Sequence, residues 1–356
     1  MSPLIQGIDL FAGAGGLSLG AQLAGVTVTH AIEENRVAAN TYRINHPETQ
    51  VIEADIRSID PPAFKPKPAA VKLLFGGPPC QGFSTSNQRT RSADNPKNWL
   101  FGEFFRFARF SQPDWIVLEN VKGLRQTADG HFEELILKQL ETLGYESALW
   151  VLCAADFGVP QRRYRLFFVG SRTGRVPMAP SPQKKIVTVK HALADLPVLG
   201  VGAHEDVLPY PCAARSNYAK QMRGGLTECS GHLVTANNST VTKRYPHIPQ
   251  GGNWQNIPKR LMQNYSNLVN SRSRHTGIYR RLSWDEPSIV IANYRKNMLI
   301  HPEQHRGLSV REAARLQSFP DSYRFCGSIG LQQQQVSNAV PPLLAKAVFS
   351  QILNAE

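Results

Sequence analysis

Hydrophobic residues in the first half of the chain come in short runs, and the runs alternate with stretches of helical periodicity. Several runs predict strands: LIQGIDLF, VTVTHAI, VKLLFGG, DWIVLEN, ALWVLC and YRLFFVG, which lie between residues 4 and 170. Strands that alternate with helices in this way are typical of an α/β fold. The pattern therefore predicts a doubly wound, mostly parallel sheet.

One helix between these strands is clear from its periodicity. In HFEELILKQLETLG the apolar side chains fall on a single helical face, and Gly144 follows as a cap for the C-terminus. The residues of that face are Phe132, Leu135, Ile136, Leu140 and Leu143. We expect this helix to pack on the core of the sheet.

Beyond residue 170 the periodic pattern is lost. The segment RVPMAPSPQKK is rich in proline and lysine and predicts a linker. Between 191 and about 308 the chain has turn clusters such as PQGGNW and NYRKN but few confident elements. A chain of 356 residues suits one large domain with a second, smaller one, and we expect this segment to form a loop-rich recognition region.

The charge of the chain is strongly positive and unevenly distributed. A net charge of +13 and a pI near 9.7 indicate a polyanionic partner. Within 186–330, lysine and arginine outnumber aspartate and glutamate two to one. A nucleic-acid surface is therefore expected in this part of the chain.

Other compositional features exclude several classes of protein. The cysteines at 80, 153, 212, 229 and 326 form no CxxC pair and leave one over, which argues against a disulfide framework or a zinc site. In HPEQH, Pro302 replaces the glutamate that a zinc-protease motif requires after His301, so we expect no metal. No apolar run approaches the ~18 residues of a membrane span, and the N-terminus lacks a basic-then-apolar leader. We expect a soluble, cytoplasmic protein with no membrane partner.

A glycine-rich turn follows the first predicted strand in IDLFAGAGGLSLG. Gly13, Gly15 and Gly16 would let the backbone approach a ligand at the N-terminus of the next helix. A GxGxxG dinucleotide motif that starts at Gly13 would need glycine at 18, where Ser18 stands. The turn therefore predicts a ligand site but weakens the interpretation as a nicotinamide-dependent dehydrogenase.

Two acidic residues lie after the next strand candidates. Glu33 occurs in HAIEEN and Asp55 in IEADI. A carboxylate after the second strand commonly binds ribose hydroxyls, and a later one can accept a hydrogen bond from an adenine amino group. These acids favour an adenosine-bearing cofactor; the alternative is a glycine-rich turn with two solvated acids.

The segment FGGPPCQGFS places Cys80 after a buried strand and two prolines, at the carboxyl edge of the predicted sheet. A buried, inert thiol is the alternative. Glu119 ends the strand DWIVLEN, and PQRRYR supplies Arg163 and Arg165, which alternate and so share one face of a strand. A thiol, a carboxylate and an arginine pair at one edge of a sheet indicate a reactive site.

The motifs DLFAGAGG, GGPPCQGFS, LENV, PQRRYR, REAARLQSFPD and SNAVPP occur in this order across most of the chain. Together they resemble the DNA (cytosine-5)-methyltransferases of bacterial and phage restriction-modification systems. The resemblance implies methyl transfer from S-adenosylmethionine, which leaves S-adenosylhomocysteine, to carbon 5 of a cytosine flipped out of duplex DNA.

The resemblance also assigns roles to the reactive residues. Cys80 matches the nucleophile that adds to carbon 6 of cytosine. Glu119 matches the carboxyl group that supports this adduct at ring nitrogen 3. Arg163 and Arg165 match the arginines that stabilise the base, the thiolate and a nearby phosphate.

Further positions match those that bind the cofactor in the family. They are Phe11, Gly13, Ala14, Gly16, Glu33, Asp55, Ile56, Gly77, Pro79, Leu100, Asn338 and Ala339. Ser337 stands where the family usually has glycine, and this departure puts the turn before Asn338 in question.

The resemblance divides the chain into a catalytic and cofactor-binding domain, residues 1–185 plus 331–356, and a target-recognition domain, residues 186–330. In REAARLQSFPD we expect Arg311, Glu312 and Arg315 to organise the recognition region rather than to perform chemistry. The predicted partners are double-stranded DNA and a cognate restriction endonuclease that acts separately. The expected state is a monomer in the prokaryotic cytoplasm, associated with the nucleoid through DNA.

Three alternatives stay open at this point. One branch of the family modifies tRNA, but its Cys-Phe-Thr signature is absent from this sequence. A catalytically inactive DNA-binding homologue is disfavoured by the intact set of Cys80, Glu119, Arg163 and Arg165. A dehydrogenase is disfavoured by Ser18.

Overall fold

The computed structural model describes residues 4–61, 70–79, 100–174, 176–263, 277–292, 294 and 298–356. The chain forms two compact units: the first comprises Met1–Phe157, Arg163–Lys184 and Ala339–Glu356, and the second comprises Gly158–Arg162 and Lys185–Asn338. The second unit thus includes the whole helix Ile329–Asn338, whereas the sequence placed the border at 330.

A seven-stranded sheet forms the centre of the first unit. Its strands are β1 (Ile5–Leu10), β2 (Thr27–Glu33), β3 (Gln50–Glu53), β4 (Val71–Gly76), β5 (Trp115–Val121), β6 (Glu146–Cys153) and β7 (Tyr164–Ser171). Their order is β3-β2-β1-β4-β5-β7-β6. The pairs from β3 to β5 are parallel, whereas β7 is antiparallel to β5 and β6. The mostly parallel α/β sheet is confirmed, and the predicted runs all form strands.

The helices surround this sheet and continue into the second unit. They are α1 (Gly16–Ala24), α2 (Arg36–Asn45), α3 (Phe101–Ser111), α4 (His131–Thr142), α5 (Val189–Leu193), α6 (Asn217–Arg223), α7 (Ser239–Thr242), α8 (Val310–Leu316), α9 (Ile329–Asn338) and α10 (Pro342–Ala355). Short 3₁₀ turns lie at Ile56–Ser58, Lys122–Gly130, Ala154–Phe157, Tyr245–His247, Trp254–Asn256 and Lys259–Leu261.

Helices cover both faces of the sheet, as a doubly wound fold requires. On one face, alternate apolar residues of the strands form a core with the phenylalanines of α3 and with α4. On the other face α1 packs against α10, and Phe75 of β4 meets Phe349 of α10 edge to face at 5.1 Å between ring centroids. Strands buried on both faces need continuous apolar sequence, and this explains the runs in the first half of the chain.

The predicted amphipathic helix is α4. Phe132, Ile136 and Leu140 are buried, and Leu135 and Leu143 are partly buried against the same core. The helix ends at Thr142, and Gly144 follows with a φ of 79°, a left-handed conformation that favours glycine at this position.

The second unit is largely irregular, as predicted. Its β-structure within the described residues includes one short antiparallel pair, β8 (Leu208–Pro209) with β9 (Glu228–Cys229). Buried arginines form many of the hydrogen bonds in its interior. Arg315 donates to Asp195 and Asp321, and Arg306 pairs with Glu312 at 2.6 Å.

The REAARLQSFPD motif thus has an organising role in the second unit. Arg311 donates to the backbone carbonyls of Ser230, Pro320 and Tyr323, and Glu312 closes a capping box at the start of α8. Such fully hydrogen-bonded buried charges hold irregular segments in one arrangement.

Candidate active site

The predicted site residues of the first unit follow the carboxyl ends of its parallel strands. The turn Phe11–Gly16 follows β1, Glu33 ends β2, Asp55 follows β3, and Gly77 follows β4. Glu119 lies near the end of β5, and Arg165 near the start of the antiparallel β7. Antiparallel direction brings the start of β7 to the edge where β5 ends, since Val121 pairs with Arg165. These predicted site residues therefore lie along one edge of the sheet.

The glycine turn has an unusual backbone. Phe11, Gly13 and Gly15 have φ values of 60°, 57° and 89°, and Gly15 caps α1 in the left-handed conformation. A Cβ added at Gly13 would meet no atom within 4 Å among those described. The turn thus leaves open space at Gly13, just before the N-terminus of α1, which suits close approach by a ligand.

Glu33 ties this turn to the next helix. Its carboxylate accepts hydrogen bonds from the backbone N–H of Gly13 and of Asn35, both at 2.8 Å. Burial raises the pKa of Glu33, while these two hydrogen bonds oppose the shift. Each carboxylate oxygen can accept a further bond, so the side chain is fixed in position and still able to bind a hydroxyl group.

Asp55 and Ile56 stand at the 3₁₀ turn after β3. Asp55 caps the turn by accepting from the N–H of Arg57 at 2.9 Å, and its carboxylate also accepts from the Arg57 guanidinium. The side-chain hydrogen bond to Arg57 lowers the pKa of Asp55 to about 2. Ile56 is buried in the core beneath the turn.

A buried hydrogen-bond network below the glycine turn was not predicted. The Ser18 hydroxyl donates to Asp9 at 2.6 Å, and the Tyr42 hydroxyl donates to Ser18 at 2.7 Å. His46 stacks on Tyr42 and hydrogen-bonds the Gly15 backbone. A charged residue inside the apolar strand IQGIDL is the sequence signal that could have revealed it.

Gly77 makes room for Glu119. A Cβ at position 77 would lie 2.7 Å from Oε2 of Glu119, which is too close for any larger residue without movement. Gly77 and the half-buried Pro79 lead directly to Cys80 in the sequence, and Cys80 itself lies outside the described residues. The structure therefore shows the approach to the predicted nucleophile.

Glu119 and Arg165 form an ion pair, with 2.7 Å between Oε1 and Nε. Within the described residues, Nε–H of Arg165 makes no hydrogen bond of good geometry, so charge rather than alignment holds this contact. Arg165 also donates to the Tyr164 carbonyl at 2.9 Å. Burial raises the pKa of Glu119 above its ordinary value, although the charges of Arg165 and Arg163 oppose the shift.

The remaining predicted cofactor positions lie on other elements of the chain. Leu100 caps the N-terminus of α3. Asn338 ends α9 in the second unit, and Ala339 begins the returning segment of the first unit. Ser337 lies in the last turn of α9, where its hydroxyl donates to the Gln334 carbonyl at 2.9 Å. The backbone at Ser337 is helical, so this position does not require glycine.

The described residues show neither a metal site nor a membrane-spanning helix. They contain no group of three or more His, Cys, Asp or Glu side chains that could hold a metal ion. The Nδ1 atom of His301 instead accepts from the N–H groups of Glu303 and Gln304. None of the described helices is both long and apolar enough to cross a membrane.

A family model for C-5 cytosine-specific DNA methylases matches residues 5–354. The chain belongs to this family. It is therefore a DNA (cytosine-5)-methyltransferase, and membership implies S-adenosylmethionine as the methyl donor.

Individual members of the family match over nearly the full chain. The Type II methyltransferase M.DdeI of Desulfomicrobium norvegicum is 34% identical over 97% of this chain and 88% of its own length. The Type II methyltransferase M1.HphI of Haemophilus parahaemolyticus is 36% identical over 97% of this chain and 86% of its own. A crystal structure of a candidate DNA modification methyltransferase encoded within a prophage, from E. coli, has a TM-score of 0.79 at 26% identity and covers 98% of this chain and 99% of that one.

Proposed function

We propose that the protein methylates carbon 5 of a flipped-out cytosine within one short DNA sequence, through a covalent adduct with Cys80. The observation that carries the proposal is the buried Glu119, whose pKa is raised and which pairs with Arg165 next to the segment Gly77–Pro79 that leads to Cys80.

The residue types suit the chemistry of an unreactive carbon. Carbon 5 of cytosine is a poor nucleophile, so the Cys80 thiolate first forms a bond to carbon 6 and moves an electron pair toward ring nitrogen 3. Glu119 donates a proton or a hydrogen bond to that nitrogen. Carbon 5 then carries the electron density of an enamine and can attack a methyl group.

The later steps restore the aromatic ring. A base removes the proton from carbon 5, the double bond between carbons 5 and 6 re-forms, and the Cys80 thiolate leaves. Any proton that Glu119 gave to ring nitrogen 3 returns to Glu119. The raised pKa of Glu119 supports its role, because a carboxyl group that keeps its proton nearer neutral pH is the better donor. Arg163 and Arg165 stabilise the bound base, the thiolate and a nearby phosphate.

The residues around the glycine turn fit S-adenosylmethionine. Phe11, Gly13, Ala14 and Gly16 form the turn before a helix N-terminus, with open space at Gly13, and Glu33 presents a fixed carboxylate to ribose hydroxyls. The remaining proposed contacts come from Asp55, Ile56, Gly77, Pro79, Leu100, Asn338 and Ala339. When bound, the cofactor supplies an electrophilic methyl group, and no metal takes part in the proposal.

Base flipping and target choice follow from the form of the substrate. Stacking inside the duplex hides carbon 6 from a thiol, so the target cytosine must leave the helix. We assign the choice of sequence to residues 186–330, where the basic excess supplies phosphate contacts and Asn, Gln and Thr can reach base edges. Residues 1–185 and 331–356 carry catalysis and the cofactor.

The biological proposal is protection of host or phage DNA in restriction-modification, with a separate restriction endonuclease as partner. The Type II names of the relatives M.DdeI and M1.HphI support it. A monomer in the prokaryotic cytoplasm, on nucleoid DNA, is the corresponding state, since modification of a single base requires no two-fold symmetry.

Base-resolution methylation sequencing tests this function. DNA from a methylation-free bacterial host that expresses the protein should contain 5-methylcytosine in one short context, and Cys80→Ser should remove it while S-adenosylhomocysteine binding persists. Cys212→Ser serves as a control and should leave the pattern unchanged. Methylation that survives in Cys80→Ser contradicts the covalent role, whereas methylation of tRNA alone favours the tRNA branch and binding without methylation favours an inactive homologue.

A further inference from the structure

Arg106 of α3 links that helix to the turn that follows β3. Its guanidinium donates to the carbonyl oxygen of Ile56 at 2.8 Å through Nη2 and to that of Ile59 at 3.0 Å through Nη1. Its Nε donates to Glu103, one turn earlier in α3, at 2.7 Å. One side chain thus fixes both ends of the short segment from 56 to 59.

The segment that Arg106 holds is weakly supported by its own backbone. The 3₁₀ turn Ile56–Ser58 has three residues, and its last carbonyl groups have few partners within so short a turn. The Ile59 N–H reaches the Ile56 carbonyl at 3.3 Å, a long bond. The Ser58 N–H and hydroxyl both donate to the Asp55 carbonyl, at 2.9 and 2.7 Å, so the start of the turn has donors of its own. Arg106 adds donors from outside the turn to the carbonyls of Ile56 and Ile59, since a planar guanidinium can reach two carbonyls at once.

Apolar packing brings the same two elements together but does not determine their register. Ile56 is buried in the cluster that contains Phe101 and Phe104 of α3, and Ile59 packs against that cluster. Apolar contacts are not directional, whereas the two hydrogen bonds from Arg106 are. The Arg106 side chain is only 28% exposed, so water competes weakly for these bonds.

We propose that Arg106 is a positioning residue for the adenosine part of the cofactor: it holds Asp55 and Ile56 at a fixed distance from α3, whose N-terminus carries Leu100. The inference rests on the proposed function, in which these three residues contact the cofactor. Arg106 acts through the turn and makes no contact with the reacting atoms.

Substitution of Arg106→Met in the full-length protein tests this role, because methionine keeps the apolar stem and removes the donors. We expect the Kd for S-adenosylhomocysteine, measured by titration calorimetry, and the KM for S-adenosylmethionine to rise about tenfold. We expect kcat at saturating cofactor to stay within about twofold of the wild type. Methylthioadenosine, which lacks the amino-acid part, should lose affinity by a similar factor.

Arg109→Met is the matched control, since Arg109 is exposed one turn later in the same helix, and it should leave both constants unchanged. Arg106→Lys should recover part of the affinity, because an ammonium group is a single donor centre. If Arg106→Met does not fold, the Kd and KM of Arg106→Lys test the inference instead.

Wild-type affinity in Arg106→Met, or a loss of kcat or stability with unchanged Kd, overturns the inference and leaves the proposed function standing. A wild-type protein that neither binds S-adenosylhomocysteine nor methylates DNA overturns both.

Discussion

At the scale of single residues, two neighbours determine the environment of Glu119: one leaves it space and the other brings it a positive charge. Gly77 has no side chain, and this leaves space for Oε2 of the carboxyl group. Arg165 brings a positive charge to 2.7 Å from Oε1. Burial nevertheless dominates and raises the pKa. Glu119 therefore holds its proton more strongly than an ordinary glutamate does, although it lies beside a positive charge.

Replacement of Glu119→Gln tests the importance of that proton. Glutamine fills the same space, but it cannot donate an acidic proton, so kcat should fall by roughly 10²–10⁴-fold, measured as labelled-methyl incorporation into DNA. The exposed Glu141→Gln on α4 is the control. Wild-type turnover in Glu119→Gln would exclude an acid role for Glu119.

The sequence predicted part of this local arrangement. Alternation along PQRRYR places Arg163 and Arg165 on one face, and the end of DWIVLEN places Glu119 at the carboxyl edge of a strand. Which arginine pairs with Glu119 depends on the antiparallel register in which Val121 faces Arg165. That register is a long-range property of the sheet, so the local pattern could not reveal it.

At the scale of elements, the close packing of α1 against α10 completes the first unit. Gly20 lies at the crossing: a Cβ there would be 2.3 Å from the Cβ of Ala345 and 2.7 Å from the Pro342 carbonyl oxygen. Neither obstacle is the end of a flexible side chain. The two helices can therefore approach this closely only with glycine at position 20.

A methyl group at this crossing should destabilise the protein. We expect Gly20→Ala to lower the free energy of unfolding by roughly 1–3 kcal/mol through overpacking, measured by urea denaturation. Gly102→Ala is the matched control, because Gly102 lies in α3 and its added Cβ would meet no described atom within 4 Å. That change should stabilise by about 0.5–1 kcal/mol, so a Gly20→Ala variant as stable as Gly102→Ala would contradict the packing argument.

Prediction of elements was precise where the apolar pattern was long and imprecise where it was short. The strand candidate before Asp55 is β3, QVIE, but it covers four positions and has no fully buried residue, so the pattern alone did not give its limits. The direction of β7 also escaped prediction. Apolar runs such as YRLFFVG record burial but contain no information on whether neighbouring strands are parallel.

At the scale of the whole molecule, the first unit is built from distant parts of the chain. Residues 339–356 return after the entire second unit to place α10 against α1. The uneven charge is visible in the sequence itself. The order of the motifs predicted that residues 331–356 return to the catalytic domain. The border between the units falls after Asn338, at the end of α9, whereas the sequence placed it at 330.

Titration of Asp9 should affect the stability of the whole protein. Asp9 is 1% exposed, one carboxylate oxygen has no hydrogen-bond partner among the described residues, and burial raises its pKa to about 8 while the Ser18 hydroxyl opposes the shift. In the unfolded chain an aspartate titrates near pH 4. Between these values the folded protein keeps a proton that the unfolded chain releases, so this group makes folding less favourable as pH rises from about 4 to about 8.

Asp9→Asn removes this titration and keeps a side chain of the same size. The difference in free energy of unfolding, variant minus wild type, should therefore increase by roughly 2–4 kcal/mol between pH 5 and pH 8. Urea denaturation at several pH values in this range measures the difference, and Asp60→Asn, at an exposed position, is the control. If the free energy of unfolding depends on pH in the same way for Asp9→Asn and for the wild type, Asp9 is already ionised in the folded protein. The network with Ser18 and Tyr42 would then have to stabilise a buried charge.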